Sequence, residues 1–565
     1  MAADPDAFKT AIEIFLHRAE ASAEGYLRWD GADSFTVKTD GDAAVATLVN
    51  AHFSLRKDPN DAKPLASLTL DRVEIIRKPA AQGGKFDDLA IALPTLVTLV
   101  SDEGREVDLT LEDGHVSVLL EGPDDRQRAV AVDFAEARVA DKGGKDGTDT
   151  AGKDWVRFGP FTASAKTVTN ADGSWRSPIE FELKGVEFLF AEAPLAGRVE
   201  RIAYSAGATG SSLAALDELR DRMTDTRNEV RRKPEIGGTA WLPLLSKFLA
   251  VFSTSDGELT IEQASAKRPD GETLLTLAKA WMRGSISGLD GDSAALRFSL
   301  GHEGLALAPS LVPTAQAPRR ADLDFGLDKI AVGVLRTICD AAAKAGPDAS
   351  DQDRQAASQQ MIAAAMALSP VFHVYDASVE FPDVAVSASG EAHRAPPLPI
   401  GYAASGDVTV REFDALPEVL TGPLERAMLP LLKFIGHAAT DADGHPVMKF
   451  ALTSAIGRWI DINGSNLANW FGASPSGAPR LLRLARPPLH GDDVTAVQKA
   501  VADNRVEPFE PGIYDTATAL AVARFQKNAG LNVDGTVDAA VRHKLGLKPS
   551  AAAPDAASPE GTPRN

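Results

Sequence analysis

The sequence predicts an α+β protein: a β-rich, elongated, multi-strand body with amphipathic helices, followed by a small all-α domain of three helices. Three observations carry that prediction. Apolar and polar residues alternate with period two over long stretches between residues 34 and 308, and Asp-Gly or Gly-Gly pairs separate the runs. Apolar residues recur at helical spacing in a few bounded segments. The last 85 or so residues lose the alternation and become short helical patterns punctuated by glycine.

Taken in order, Phe8, Ile12, Phe15, Leu16 and Ala19 form an apolar stripe, and Asp4 and Asp6 lie near the positive end of the helix dipole. An amphipathic opening helix follows. Period two then takes over, as in Ser67 to Ile75 and Val107 to Leu111, and marks strands with one buried face. Residues 141–154 carry almost no apolar side chain and are expected to be a hairpin tip or linker. Strands resume from Trp155 to Tyr204, with a turn at Asn170-Ala171-Asp172-Gly173. Ser211 or Ser212 can cap a helix with Leu213, Leu216, Leu219, Met223 and Val230 on one stripe, and Trp241 to Phe252 pairs with it as a helical hairpin. Strands return at 257–264, 282–287, 295–308 and 321–330, then helices at 328–345 and 354–368. LTLDRVEI (68–75), FELKGVEF (181–188) and FGLDKIAV (325–332) repeat a unit of strand, small turn and strand. The body closes on Val447 to Leu452 and Trp459 to Gly464, a strand pair ending in Asn-Gly.

These features divide the chain into an N-terminal helix with a β-rich domain (1–210), a second β-rich domain with helical hairpins (211–471), a linker (472–480, GASPSGAP within it), a helical domain (481–547) and a disordered tail (548–565). A chain of 565 residues with 44% apolar composition can bury several cores. Its 79 acidic and 59 basic side chains give a net charge of −20, which opposes nucleic acid or an anionic membrane surface as the main partner. No run of 18 apolar residues is present, so no transmembrane segment is expected. The single Cys339 rules out an internal disulfide and, four residues after Leu335 on a helical face, is expected to be a buried thiol.

No catalytic signature is complete in the sequence. The chain contains no G-x-G, and hence no dinucleotide or kinase phosphate loop, and no G-x-S-x-G elbow. His302-Glu303 begins like a zinc-protease helix, but Ala306 stands where the second histidine belongs. His437, Asp441, Asp443 and His445 fall within nine residues, yet Asp443-Gly444 is a common tight turn and a polar loop is the expected structure. No catalytic residue, metal site or cofactor is therefore assigned.

The C-terminal stretch is more specific. Val494, Val497, Gln498 and Val501 share a helix face, which Asp492 or Asp493 can cap; Thr518, Ala521, Val522, Phe525 and Gln526 form a second helix stopped by Gly530; Val537, Val541 and Leu545 begin a third ending at Gly546. The ordered set Asp493-Val494, Val497-Gln498, Thr518-x-x-Ala521-Val522-x-x-Phe525-Gln526, Gly530-Leu531 and Asp534-Gly535 resembles the peptidoglycan-binding domain of the three-helix type. The resemblance implies a module that docks on cell-wall peptidoglycan, a location in the periplasm or extracytoplasmic envelope, and a mature chain from which a leader has been removed. Phe525, Val522 and Leu531 are expected in its core, and ligand contacts at the exposed turns around Asp515, Asn532 and Asp534. Glu510-Pro511 stands where such modules carry an Asp before the turn glycine.

The repeated strands of the body and its closing Ile-Asp-Ile-Asn-Gly resemble bacterial envelope proteins of the AsmA-like sort, whose curved sheets hold a lipid-facing apolar groove. The expectation is a non-enzymatic envelope protein held at peptidoglycan, with a β-rich scaffold or lipid-groove body; lipid or another envelope protein is the further partner. The alternative is a hydrolase acting on the wall or on envelope polysaccharide. One helix of about 20 residues spans only about 30 Å, so part of the sheet is expected to stay open as an apolar groove able to accept an acyl chain.

Overall fold

The structure is a computed structural model that describes residues 5–22, 26–56, 63–79, 86–121, 126–143, 153–190, 195–232, 240–345, 349–394, 402–420, 422–454, 461–466, 482–484, 488–505 and 508–547. The expected linker, tail and start of the chain, the tip of the 141–154 loop, and Trp459-Ile460 lie outside them. The chain divides into two compact units, Met1–Pro370 and Val371–Asn565. That divide falls inside the segment 211–471 that the sequence groups as one domain. Residue 210 is no boundary, because the strand ending at Gly210 pairs along its length with the strand starting at Thr254.

The first unit opens with helix α1 (Pro5–Ser22), then strands β1 (Leu27–Asp40), β2 (Ala43–Leu55) and β3 (Ala66–Lys78). Four shorter pairs follow: β4 (Phe86–Ala92) and β5 (Leu96–Ser101), β6 (Glu106–Glu112) and β7 (His115–Glu121), β8 (Arg126–Phe134) and β9 (Glu136–Gly143), β10 (Lys153–Phe158) and β11 (Phe161–Lys166). Each pair is one long strand broken in the middle, since β3 pairs with both β4 and β5, and β14 (Ile179–Phe190) pairs with both β10 and β11. Short β12 (Val168–Thr169) and β13 (Trp175–Arg176) precede it; β15 (Leu195–Gly210), β16 (Thr254–Lys267), β17 (Thr273–Ser287), β18 (Ser293–Glu303), β19 (Ala306–Leu307) and β20 (Arg320–Ala331) extend the antiparallel sheet.

The interruptions line up across the sheet. Register skips Asn50 and Asp71 between β2 and β3, and Gly185 and Glu200 between β14 and β15. Leu93 N–H donates to Gly114, Ala135 to Glu112 and Gly159 to Lys184 at 2.7 to 2.8 Å, which ties each break to the next. Positive φ at Asn50, Asp113, Gly185 and Gln263 (49°, 52°, 60° and 52°) marks the same line. Pairing stays in register on both sides of these gaps, so no extra residue is inserted; the aligned left-handed residues interrupt the ladder at one place and crease the sheet. The repeated units at 68–75 and 181–188 are therefore single interrupted strands, not two strands joined by a turn, since β3 and β14 run straight through them; in the unit at 325–332, β20 carries a register shift and ends at Ala331, and Val332 begins a helix. Lys184-Gly185 and Asp328-Lys329 look like turns because the positive φ at Gly185 and Lys329 is the backbone conformation that turns also use.

Helix α2 (Leu213–Arg232) starts where Ser212 Oγ accepts from Ala215 N–H, and α3 (Leu242–Val251) packs beside it through Leu216, Leu219, Leu244, Val251 and the buried Trp175. Helices α4 (Val332–Lys344) and α5 (Asp351–Ala367) close the unit, with Ser350 capping α5. Cys339 on α4 is half-buried; burial and then the Asp340 charge push its thiol up from the ordinary value.

In the second unit, β21 (Val371–Glu380), β22 (Ala385–Arg394), β23 (Tyr402–Arg411) and β25 (Pro446–Thr453) form an antiparallel sheet; β24 (His437–Thr440) and β26 (Asp461–Ile462) pair with β25, and β27 (Ser465–Asn466) with β26. After the one-turn α6 (Leu416–Val419), helix α7 (Pro423–Ile435) lays Leu429, Leu431 and Ile435 on Val410, Met448 and Phe450. The same core continues into α8 (Asp492–Ala500), α9 (Thr516–Asn528) and α10 (Ala539–Lys544). Ser465 Oγ donates to the Val533 carbonyl at 2.5 Å and Lys527 lies over the Phe434 ring, so the three-helix segment is built onto this sheet. Its boundaries differ from expectation in two places. Gly491, at φ 141°, precedes α8 without a side-chain cap, and Val537 lies outside α10, bridging to Leu482.

Candidate functional site: an apolar trough and a three-helix module

Directly opposed residues in adjacent antiparallel strands point to the same side of a sheet. Starting at Val37, successive partners across the first unit are Ala46, Ile75, Ile91, Val116, Val132 and Ala163. The line continues through Phe181, Tyr204, Leu259, Met282, Leu300 and Leu323. No charged residue interrupts it from β1 to β20. Beyond the crease a second line runs Ala32, Ala51, Leu70, Val97, Leu109, Val139, Val156, Phe188, Gly197, Ala266, Leu275 and Leu307. Both lines meet in one cavity: Ala51 and Leu70 from the second, with Ile75 and Ile91 from the first, line a space of about 340 Å³ under α1. The crease thus folds the two apolar faces toward each other and makes a trough.

The inward side chains do not fill a closed core. Tyr204, Met282 and Leu300 remain 38%, 47% and 42% exposed, and most of the others are only half-buried. Phe161 stacks on Phe134 at 4.7 Å and meets Phe181 edge-on at 5.3 Å, which carries an aromatic wall along the floor. A larger cavity of about 760 Å³ lies under α2 and α3, lined by Leu219, Met223, Phe248, Leu259, Met282 and Phe298 among others. This is the size range of sites for small apolar ligands. The outer face is the reverse: Arg201 bridges Glu182 and Glu262 at 2.7 and 3.1 Å, and Arg283 meets Glu258 at 2.9 Å. Water is thus met by cross-strand ion pairs on one side, while the other side offers aliphatic and aromatic surface.

One buried charge cluster fixes α2 over the trough. Arg128 donates to both Asp217 oxygens at 2.7 Å and to Glu121 at 2.5 Å. Those hydrogen bonds, Asp217 first, hold the Arg128 guanidinium above its ordinary pKa against the opposing effect of burial. For Asp217, burial is the largest influence and raises the pKa, but the Arg128 bonds and the charges of Arg128, Arg126 and Arg220 outweigh it and leave the carboxyl below the usual range. Sequence reasoning missed this cluster, since Arg128 and Asp217 stand 89 residues apart.

The three-helix module is organised by two buried glutamines. Gln526 donates to Asp534 Oδ1 and the Thr536 carbonyl at 2.7 and 2.9 Å, and its Oε1 accepts from the N–H groups of Asp534 and Gly535 at 3.0 and 2.8 Å. Gln498 likewise donates to the Glu510 and Ile513 carbonyls and to Thr518 Oγ1, and accepts from Gly512 N–H. Each side chain thereby clamps the turn that faces it. Of the three expected contact residues, Asp534 is 6% exposed and engaged by Gln526 and Thr536, so its place in an exposed turn is not what the structure shows. Asp515 caps α9 through Thr518 N–H at 2.7 Å and also accepts from Glu510 N–H. Asn532 is exposed. Val522 is fully buried, with Phe525 and Leu531 packed against the same core. The His437 to His445 segment is not all polar loop as expected: His437–Thr440 is strand β24, paired with β25, and only 441–445 make the turn, in which Asp441 Oδ1 accepts from the N–H groups of Asp443 and His445.

Residues 490–545 match the family described as "Putative peptidoglycan binding domain". The match covers α8, α9, α10 and both glutamine clamps, so the small helical domain and its family relation agree. Comparison with curated proteins gives no match. Among solved structures, the chain is similar to Pseudomonas aeruginosa OccD3 (OpdP), at 9% identity over 76% of this chain and 94% of that one, with a TM-score of 0.12. It is also similar to Pseudomonas aeruginosa OccK8 (OprE), at 6% identity over 74% of this chain and 96% of that one, with a TM-score of 0.11. Overlaps that low carry no argument about the fold. Among the described residues, no helix is long and apolar enough to cross a membrane.

Proposed function

We propose that this is a non-enzymatic cell-envelope protein, retained at peptidoglycan by its C-terminal module, whose creased sheet holds acyl chains in its apolar trough. The observation that supports the trough reading most is the uninterrupted apolar line from Val37 to Leu323, left half-open on the inner face while the outer face is laced with ion pairs. Soluble proteins rarely leave contiguous apolar patches beyond a few hundred Å² without a partner. An acyl chain suits that surface, since each buried methylene contributes roughly 0.8 kcal/mol and needs no hydrogen bond. The family match at 490–545 supports the wall attachment and an extracytoplasmic, periplasmic location. Within the module, Asn532 is the exposed candidate for a glycan or peptide contact; Asp515 and Asp534 would act by holding the turns around it.

Sedimentation of the full chain with purified sacculi tests the wall attachment. Retention should fall when Asn532 is replaced by alanine, and a full chain that stays in the supernatant contradicts the reading. For the trough, Met282→Asp places a charge on the floor of the larger cavity and should abolish binding of a fluorescent fatty acid. Equal binding by both proteins contradicts it.

A further inference from the structure

A histidine lies on the floor of the trough. Beside the apolar line through Tyr204, Leu259, Met282, Leu300 and Leu323, the next row toward the crease runs Leu183, Ile202, Ile261, Ala280, His302 and Ala321. His302 is on strand β18, and the residues opposed to it, Ala280 and Ala321, offer only methyl groups. On the outer side Trp281 covers Gly301, where a Cβ would stand 2.5 Å from the indole ring, so the following residue points inward. The His302 ring is half-buried and makes no hydrogen bond or ion pair among the described residues; its Nδ1 is shielded from water and has no partner, whereas Nε2 is not so shielded. Burial holds its pKa below the ordinary value against the smaller, opposing pull of the Asp322 charge, and the ring is therefore neutral at pH 7. A neutral imidazole carries one N–H. Orphaned buried donors are tolerated less than idle acceptors, so the proton is assigned to Nε2, which can reach a partner in the trough.

In the empty trough water accepts from that N–H, and an acyl chain laid over the floor expels the water. A ligand without an acceptor then leaves the donor unpaired, at about 1–3 kcal/mol, while one that brings an oxygen takes the place of the water. Two residues of strand, about 7 Å, separate His302 from Leu300, whose partner Met282 lines the larger cavity with Leu259. Resting on the trough reading above, we propose that His302 selects the ligand: its Nε2–H donates to the carbonyl oxygen of an uncharged acyl ester, whose chain runs from there over Leu259 and Met282 into the larger cavity. An ester suits this floor better than a free carboxylate, which would be an unpaired charge among Ile202, Ile261, Ala280 and Ala321. A plain hydrocarbon fills the same space but leaves the N–H with nothing to bond.

The test is displacement of a fluorescent fatty acid from the full-length protein at neutral pH by methyl palmitate and by an alkane of matching length, each delivered from cyclodextrin. Wild type should favour the ester by about tenfold, the equilibrium worth of one donor left unpaired. His302→Leu should bring the two within about twofold, chiefly because the alkane then binds more tightly. His302→Gln keeps an N–H donor and should retain a preference of about threefold or more. Equal displacement by ester and alkane in wild type overturns the contact and leaves the trough standing, and needs neither variant to fold. A preference that survives in His302→Leu overturns it too, because the ester is then selected elsewhere. Loss of the preference in both variants would mean that ring shape and not a hydrogen bond decides, and likewise overturns it. Failure of wild type to take up the fluorescent fatty acid at all overturns the trough reading and this inference with it.

Discussion

Replacement of Asp217 by asparagine isolates what holds α2 over the trough. In the native protein the Arg128 guanidinium is 9% exposed and meets Asp217 through two 2.7 Å bonds, with Glu121 as its other partner. Removing one partner of a buried ion pair costs about 3–5 kcal/mol when the other charge is left alone. Glu121 stays, and asparagine can still accept one bond, so the expected loss is about 2 kcal/mol, or roughly thirtyfold in the opening equilibrium of α2. Hydrogen exchange followed by mass spectrometry should show that acceleration in peptides covering 213–232 and little change in β16 and β17, whose ladders do not touch Asp217. The pH dependence carries a second signature. The folded pKa of Asp217 lies below its ordinary value, so its contribution is fully present above that value and is lost as pH falls through the folded pKa, that is, below about pH 4. The asparagine variant should lack this acid-sensitive component. Unchanged exchange in α2 would mean that Leu216 and Leu219 hold the helix unaided, and would refute the reasoning.

Gln526→Ala should strip four hydrogen bonds from the 534–536 turn and cost about 2–4 kcal/mol, seen as earlier thermal unfolding and lost sedimentation with sacculi. Asn532→Ala should reduce sedimentation without moving the melting temperature, and a shift in melting with unaltered sedimentation would remove it as a contact. Cys339, half-buried with its pKa pushed up, should react with a thiol reagent at pH 8 well below the rate of an exposed cysteine; rapid labelling of the native protein would contradict that. Met282→Asp together with Leu300→Asp should leave the sheet folded by circular dichroism, because both side chains are already exposed, yet abolish acyl binding.

Much of the architecture was legible because its determinants are local. Period two gave the strands, Ser212 and Gly530 gave helix ends, and the order Val497-Gln498, Phe525-Gln526, Asp534-Gly535 gave the module. What the spacing of Gln498 and Gln526 could not show is that both are buried clamps, since polar residues on a helix face are ordinarily solvated. The crease shows in the sequence only as a repeated unit that predicts a turn, because Lys184-Gly185 and Asp71-Arg72 have turn chemistry and only the cross-strand pairing on both sides shows that the strand continues. An open apolar groove is expected from the sequence, but its place in the sheet is not, for a related reason. Alternation says that one face of each strand is apolar, but which faces align, and whether anything covers them, depends on pairings far apart in sequence. The Arg128–Asp217 pair is likewise a product of packing, with no local signature.

Native mass spectrometry of the full-length protein, released from cells without detergent extraction, tests the central claim most directly. The account predicts a bound species with the mass of one or more acyl lipids on wild type, and its loss from the Met282→Asp, Leu300→Asp variant. A wild-type spectrum that shows only the bare polypeptide, and stays bare after incubation with oleate, would contradict it.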